Sequence, residues 1–130
     1  MLKAIIVVGA GGACGAVARY LVYSLTFHTL GTGFPYATLI VNILGSLVMG
    51  VLTEFMALAW TVSLELRLFM VVGVLGAFTT FSTFSLDVAT LYERGQMLSA
   101  FFYVIASLVL SVGSFFAGLA LVRHFLVMPA

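Results

Sequence analysis

Charged side chains are nearly missing from this chain. Five Lys or Arg and four Asp or Glu are spread over 130 residues, too few to keep the surface of a soluble domain hydrated. With a net charge of +1, the chain carries neither the basic footprint of a nucleic-acid binder nor a polybasic membrane anchor. Cysteine occurs once, at Cys14, which excludes an internal disulfide and any cysteine metal cluster. Catalytic patterns are missing as well: no Ser–His pair and no HExxH helix stands out. His28 has no partner in sequence that would make a metal site.

What is there is apolar. At 64% hydrophobic residues and a mean hydropathy of +1.30, no soluble domain of this size could cover its own surface. The expected fold class is an all-α integral membrane protein, one domain over residues 1–130, with four transmembrane helices at about 2–27, 36–59, 66–91 and 97–126. Gly31, Gly33 and Pro35 break the chain in a first loop from His28 to Pro35. A second loop runs from Trp60, an interface anchor, to Arg67. Glu93, Arg94 and Gly95 form the third, and Arg123, His124 and Pro129 the membrane exit. Lys3, Arg67 and Arg123 then share the side of both termini, with Arg94 opposite. This bias favours cytoplasmic termini by only two charges, which leaves room for both orientations and so for an antiparallel homodimer.

The first span carries two false signals. Gly12-Ala13-Cys14 imitates a lipoprotein cleavage site, but Gly11 stands where a bulky aliphatic residue belongs. Ile5 to Gly15 imitates a dinucleotide fingerprint, but Cys14 replaces its last glycine and no acid follows near position 35. Gly11 and Gly15 read instead as a GxxxG helix-packing surface. Arg19 lies four residues on, at a depth where a cation costs at least about 2.5 kcal/mol. It either snorkels or pairs structurally, or it draws anions into a vestibule.

In the second span Thr38, Asn42, Gly45 or Ser46, Met49 and Thr53 recur at helical spacing. Asn42 is the polar outlier: it ties two helices together, or its amide offers two donors to an anion. Tyr103, Ser107, Ser111, Ser114 and Gly118 make a polar or small stripe down the fourth span.

The third span holds the stretch around which the rest is organised, GVLGAFTTFSTFSLD from Gly73 to Asp87. Thr79, Thr80, Ser82, Thr83 and Ser85 alternate with Phe78, Phe81 and Phe84. On a continuous helix the three Phe form one ridge, Thr79, Ser82 and Ser85 a second, and Thr80 and Thr83 a third. Five hydroxyls have no use against lipid, so this face belongs inside a bundle. Gly73 and Gly76 mark where a membrane helix can break, near Gly76–Thr80. A straight helix of about 26 residues would be about 39 Å long against a core of about 30 Å, and a break or tilt absorbs the excess.

Three segments together carry a family resemblance: GGACGAVARY at Gly11–Tyr20, ATLIVNILGS at Ala37–Ser46 and GAFTTFSTFS at Gly76–Ser85. On these the chain resembles the bacterial fluoride channels known as Fluc or CrcB. TTFSTF in the third of four short spans is highly specific, although Ala77 replaces a common second Gly and Asp87 a more usual Glu. The resemblance implies a multi-pass protein of the bacterial inner membrane, an antiparallel dual-topology homodimer in the lipid bilayer, with two pores. It implies passive, fluoride-selective efflux without ATP. It implies a structural sodium ion on the two-fold axis, held by the backbone carbonyls of Gly76 and Thr79 from both subunits. Phe81 and Phe84 match the pore phenylalanines, with Asn42 beside them and Thr38, Ser82, Thr83 and Ser111 as hydroxyl positions. Tyr103, Ser107 and Arg19 join this set.

The leading alternative is a small four-helix multidrug-type exporter. That class needs a carboxylate in the first span, where this chain has Arg19 and no acid. The chain is not expected to be an enzyme, and a structural membrane subunit without transport is the third reading.

Overall fold

The computed structural model describes residues 1–127; Pro129, read as part of the membrane exit, lies outside them. The described residues form α1 (Leu2–Leu30), α2 (Tyr36–Leu58), α3 (64–78), α4 (Phe81–Glu93) and α5 (Met97–Val127). Together α3 and α4 make one membrane-length element, Leu64–Glu93, so four helical elements are long and apolar enough to cross a bilayer. This is a multi-pass membrane protein.

Two loops are shorter than the sequence suggests. α1 continues through His28 to Leu30, with the hydroxyls of Thr26 and Thr29 donating to carbonyls of their own helix at Val22 and Leu25. Gly31, at φ +75°, ends it, its N–H donating a hydrogen bond to the Phe27 carbonyl. The third element starts at Leu64, not Leu66, because Ser63 caps it: its Oγ accepts the Leu66 amide at 3.3 Å. Arg67 therefore sits in a helix.

α3 is not an ordinary helix. Leu64–Arg67 and Gly76–Phe78 are α-helical turns, and Leu68–Leu75 between them is π-helical. Thr79 (φ −79°, ψ 159°) and Thr80 (φ −155°, ψ 118°) are then extended, and Phe81 begins a new helix. The ridge expected of Phe78, Phe81 and Phe84 is therefore not continuous. Phe78 belongs to α3, and only Phe81 and Phe84 share a helix. The expected hydroxyl ridges are split in the same way, since Thr79 and Thr80 lie outside α4.

Glycine sets the packing. Gly11 and Gly15 rest on the backbone of α3, against Phe69, Gly73 and Val74, and a Cβ on Gly73 would stand 2.8 Å from Gly11 Cα. α2 and α5 meet in the same way, since a Cβ on Gly118 would stand 2.8 Å from the Val51 amide nitrogen. With no driving force from water inside lipid, such backbone contact is how membrane helices associate. Among the described residues the buried apolar set is small: Val41, Leu75, Phe84, Leu91, Ala100, Tyr103 and Val122. Large apolar side chains such as Leu21, Leu25, Phe101 and Phe116 point outward, as lipid contact requires. Two ion pairs lie at the end that holds the N-terminus and the α2–α3 loop: Lys3 with Glu65 at 2.9 Å, and Arg123 with Glu54 at 2.7 Å.

Candidate functional site

Where a membrane helix stops, its backbone groups need partners that lipid cannot supply. At the α3–α4 break those partners are side chains. Asn42, reaching from α2, accepts the Thr80 amide on Oδ1 at 2.8 Å and donates from Nδ2 to the Thr80 carbonyl at 3.0 Å. Thr80 in turn caps α4, its Oγ1 accepting the Thr83 amide at 3.1 Å and donating to Thr83 Oγ1 at 3.0 Å. In an unbroken helix the Thr80 and Thr83 amides would serve the carbonyls of Gly76 and Thr79. Here both amides are engaged elsewhere. Nor do the Thr80 and Thr83 hydroxyls take up those carbonyls, and Thr79 Oγ1 donates instead to Leu75.

The donor set left at the break is two backbone carbonyls, hard and uncharged oxygens that suit a hard cation. Among the described residues no cluster of His, Cys, Asp and Glu competes as a metal site. The break therefore fits the sodium ion that the sequence resemblance implies, through Gly76 and Thr79.

Beside the break lies a cleft of about 290 Å³, lined by Asn42, Gly45, Ser46, Met49, Phe81, Phe84, Ser107 and Ser111 among others. Phe81 and Phe84 are tilted against each other with ring centres 5.4 Å apart. Their environments differ: Phe81 is 75% exposed and Phe84 is 8% exposed. Across from them, the hydroxyls of Ser107 and Ser111 are buried and have no hydrogen-bond partner. Other hydroxyls in this chain fold back onto their own helix, as Ser85 does to Phe81 and Thr90 to Leu86. Ser107 and Ser111 do not, and an unpaired buried hydroxyl costs about 1–3 kcal/mol. Ser114 is different again, donating to the carbonyls of Ile43 and Ser111 at 3.0 Å each.

Tyr103 connects this cleft to a second one. Fully buried, its ring lies 5.4 Å from Phe84 and 5.5 Å from Phe34. Its hydroxyl donates to Asp87 Oδ2 at 3.0 Å. Asp87 lines the second cleft, about 190 Å³, with Tyr23, Thr38, Thr90 and Arg94. There the buried Thr38 shares a 2.7 Å hydrogen bond with Tyr23. Arg19 stands in a third cleft with Ala16, Tyr20, Tyr23 and Thr83.

The residues singled out by sequence thus fall into neighbouring groups. Asn42, Phe81, Phe84, Ser107 and Ser111 share one cleft, Thr38 lines the second, and Arg19 and Thr83 line the third. Tyr103 links the first two, and Ser82 is exposed with its Oγ 3.2 Å from Thr80 Oγ1. Thr53, placed with Asn42 by spacing, lines a separate cleft with Trp60 and Arg67. Three participants were given no site role by sequence: Thr80, Asp87 and Tyr23. For Thr80 a signal existed, since Thr is a favoured N-cap residue where a helix restarts after a break. Asp87 and Tyr23 offered only a polar group at membrane depth.

Comparison with known proteins adds the following. The sequence model of the family described as "CrcB-like protein, Camphor Resistance (CrcB)" matches residues 6–119. A protein of Rhodospirillum centenum named "Fluoride-specific ion channel FluC" is 57% identical over 122 residues, covering 94% of this chain and 97% of that protein. Proteins with the same name from Agrobacterium fabrum and Rhizobium meliloti are 52% and 50% identical. The first covers 92% of this chain and 96% of its own length, the second 92% and 95%.

Proposed function

The chain belongs to the CrcB family, and on that premise we propose that it is a fluoride-selective channel, not an enzyme, that lowers cytoplasmic fluoride by passive efflux. The observation that carries this reading is the pair of buried, unpartnered hydroxyls, Ser107 and Ser111, in the cleft of Phe81 and Phe84.

Fluoride holds its water tightly, and a bare ion at low dielectric costs tens of kcal/mol. A pore must therefore return hydrogen bonds along the way. Ser107 and Ser111 can donate to an anion without first breaking a protein bond. Asn42 keeps one Nδ2 hydrogen beyond the one given to Thr80. A phenyl ring is negative on its face and positive at its edge, so Phe81 and Phe84 can turn edges to a small anion without trapping it. Several weak sites in series conduct where one strong site would hold. Thr38, Tyr103, Thr83 and Ser82 continue the set of hydroxyls, and Arg19 supplies a positive potential to the third cleft.

The driving force is the membrane potential, about 2.3 kcal/mol per charge per 100 mV. Fluoride that enters as neutral HF ionises inside and leaves as the anion. The functional unit in this reading is an antiparallel, dual-topology homodimer in the bacterial inner membrane. In this reading the Gly76 and Thr79 carbonyls of both subunits would hold a sodium ion, which would offset the freed backbone dipoles and act structurally.

The test is efflux from liposomes holding the purified protein. Fluoride should leave far faster than chloride, with no ATP and no proton gradient. Chloride moving as fast as fluoride would sink the selectivity, and no fluoride release at all would sink the channel.

A further inference from the structure

Building on the sodium reading above, the geometry points to Asn42 as a positioning residue for the cation site. Its carboxamide holds the helix break open, which keeps the Gly76 and Thr79 carbonyls available to the ion.

A helix satisfies its own carbonyls, the amide of residue i+4 donating to the carbonyl of residue i. Restoring that pattern here would return the Thr80 amide to Gly76 and the Thr83 amide to Thr79, so that both carbonyls would be engaged in helical hydrogen bonds. Two side chains stand in the way. Asn42 Oδ1 holds the Thr80 amide at 2.8 Å, and Thr80 Oγ1 holds the Thr83 amide at 3.1 Å. Asn42 goes further by also donating to the Thr80 carbonyl at 3.0 Å, gripping both backbone groups of one extended residue as a neighbouring strand would.

Few side chains can do this. Donor and acceptor must lie side by side, which Ser, Thr and Ala do not offer and which Asp offers only as acceptor when ionised. At membrane depth no bulk water replaces the missing group. The same carboxamide also lines the cleft of Phe81 and Phe84. One side chain therefore joins the cation site to the anion path, and an Asn42 variant should disturb both.

The experiment titrates sodium against thermal unfolding of the purified full chain, with N-methylglucamine chloride holding the ionic strength. The quantity read is the midpoint of sodium binding, the dissociation constant fitted to a stabilisation that rises as RT ln(1 + [Na⁺]/Kd). For Asn42→Ala this midpoint should rise at least about tenfold, the loss expected from one or two hydrogen bonds. Ser111→Ala, which touches neither carbonyl, should keep the wild-type midpoint while losing fluoride flux. Mere destabilisation lowers the melting temperature at every sodium concentration and leaves the midpoint alone, so an unchanged midpoint in Asn42→Ala overturns the proposal. If that variant does not survive purification, Asn42→Ser, too short to reach both Thr80 groups, is read in the same way. A wild-type protein indifferent to sodium would remove the sodium reading itself. Sodium dependence with unaltered variant midpoints would remove only the role of Asn42.

Discussion

The ring of Phe84 is tilted 40° against that of Tyr103 at 5.4 Å, in a small buried cluster that also holds Leu91 and Ala100. Phe81, one helical turn earlier, has no such anchorage and is 75% exposed. Two residues of one motif thus have different structural burdens. Phe81→Ile should leave the melting temperature unchanged within a degree or two, while Phe84→Ile should lose about 1–2 kcal/mol of stability through imperfect repacking. Both should lose most fluoride flux, because isoleucine keeps bulk and removes the polarised ring edge. Unchanged flux in both would return the rings to ordinary packing.

This asymmetry shows where the sequence stops being informative. The four spans were legible because hydrophobicity alone decides them, and Gly11 and Gly15 were legible as packing surface because lipid leaves few other uses for GxxxG. The break was legible to within a few residues from Gly73, Gly76 and the hydroxyls after them. The π-helical segment Leu68–Leu75 was not. Its apolar run reads like any other span, and nothing in it marks the close approach of the α1 backbone at Gly73. The clamp of Asn42 on Thr80 joins residues 38 apart in sequence, a pairing that local spacing cannot express. Asp87 gained its tie to Tyr103 in the same way, across 16 positions and two helices.

The serine pair allows stability and function to be separated. Ser107→Ala and Ser111→Ala each remove a buried hydroxyl that bonds to no other group of the protein. Folding should be unaffected or improved by up to about 1 kcal/mol, because the desolvation cost of an unpaired group disappears. Fluoride flux should nevertheless fall, by roughly tenfold for one lost donor to a charged group. Thermal unfolding and liposome flux on the same preparations check both halves. Flux at the wild-type level in the double variant would show that the anion does not use these hydroxyls.

Arg123 holds Glu54 with two nitrogens, Nε at 2.7 Å and a terminal nitrogen at 3.2 Å, across the ends of α2 and α5. Glu54 is buried while Arg123 is largely exposed, so the two partners are not equivalent. Arg123→Ala leaves an unpaired carboxylate against protein and should be destabilising. Adding Glu54→Gln should recover much of the loss, since the uncompensated charge is then gone. Melting temperatures of the three variants measure this; a double variant as unstable as Arg123→Ala plus the separate loss from Glu54→Gln would mean the groups do not interact.

The last expectation concerns what sodium does. The carbonyls of Gly76 and Thr79 carry no proton to titrate, and among the described residues no group of three or more His, Cys, Asp and Glu gathers to hold a metal instead. A cation held there would replace helical hydrogen bonds that the Asn42 and Thr80 contacts have taken away. Removing it exposes backbone oxygens inside the membrane, each at a cost of several kcal/mol. Exchange of all sodium for N-methylglucamine should therefore lower the melting temperature and silence fluoride flux together, and adding sodium back should restore both. A transported ion would behave differently. With sodium saturating on both sides, a tenfold sodium gradient should drive no fluoride movement at zero voltage, while a potassium–valinomycin potential should. Fluoride flux that follows the sodium gradient would make the ion a substrate, and full stability and flux after exhaustive sodium removal would take it out of the protein altogether.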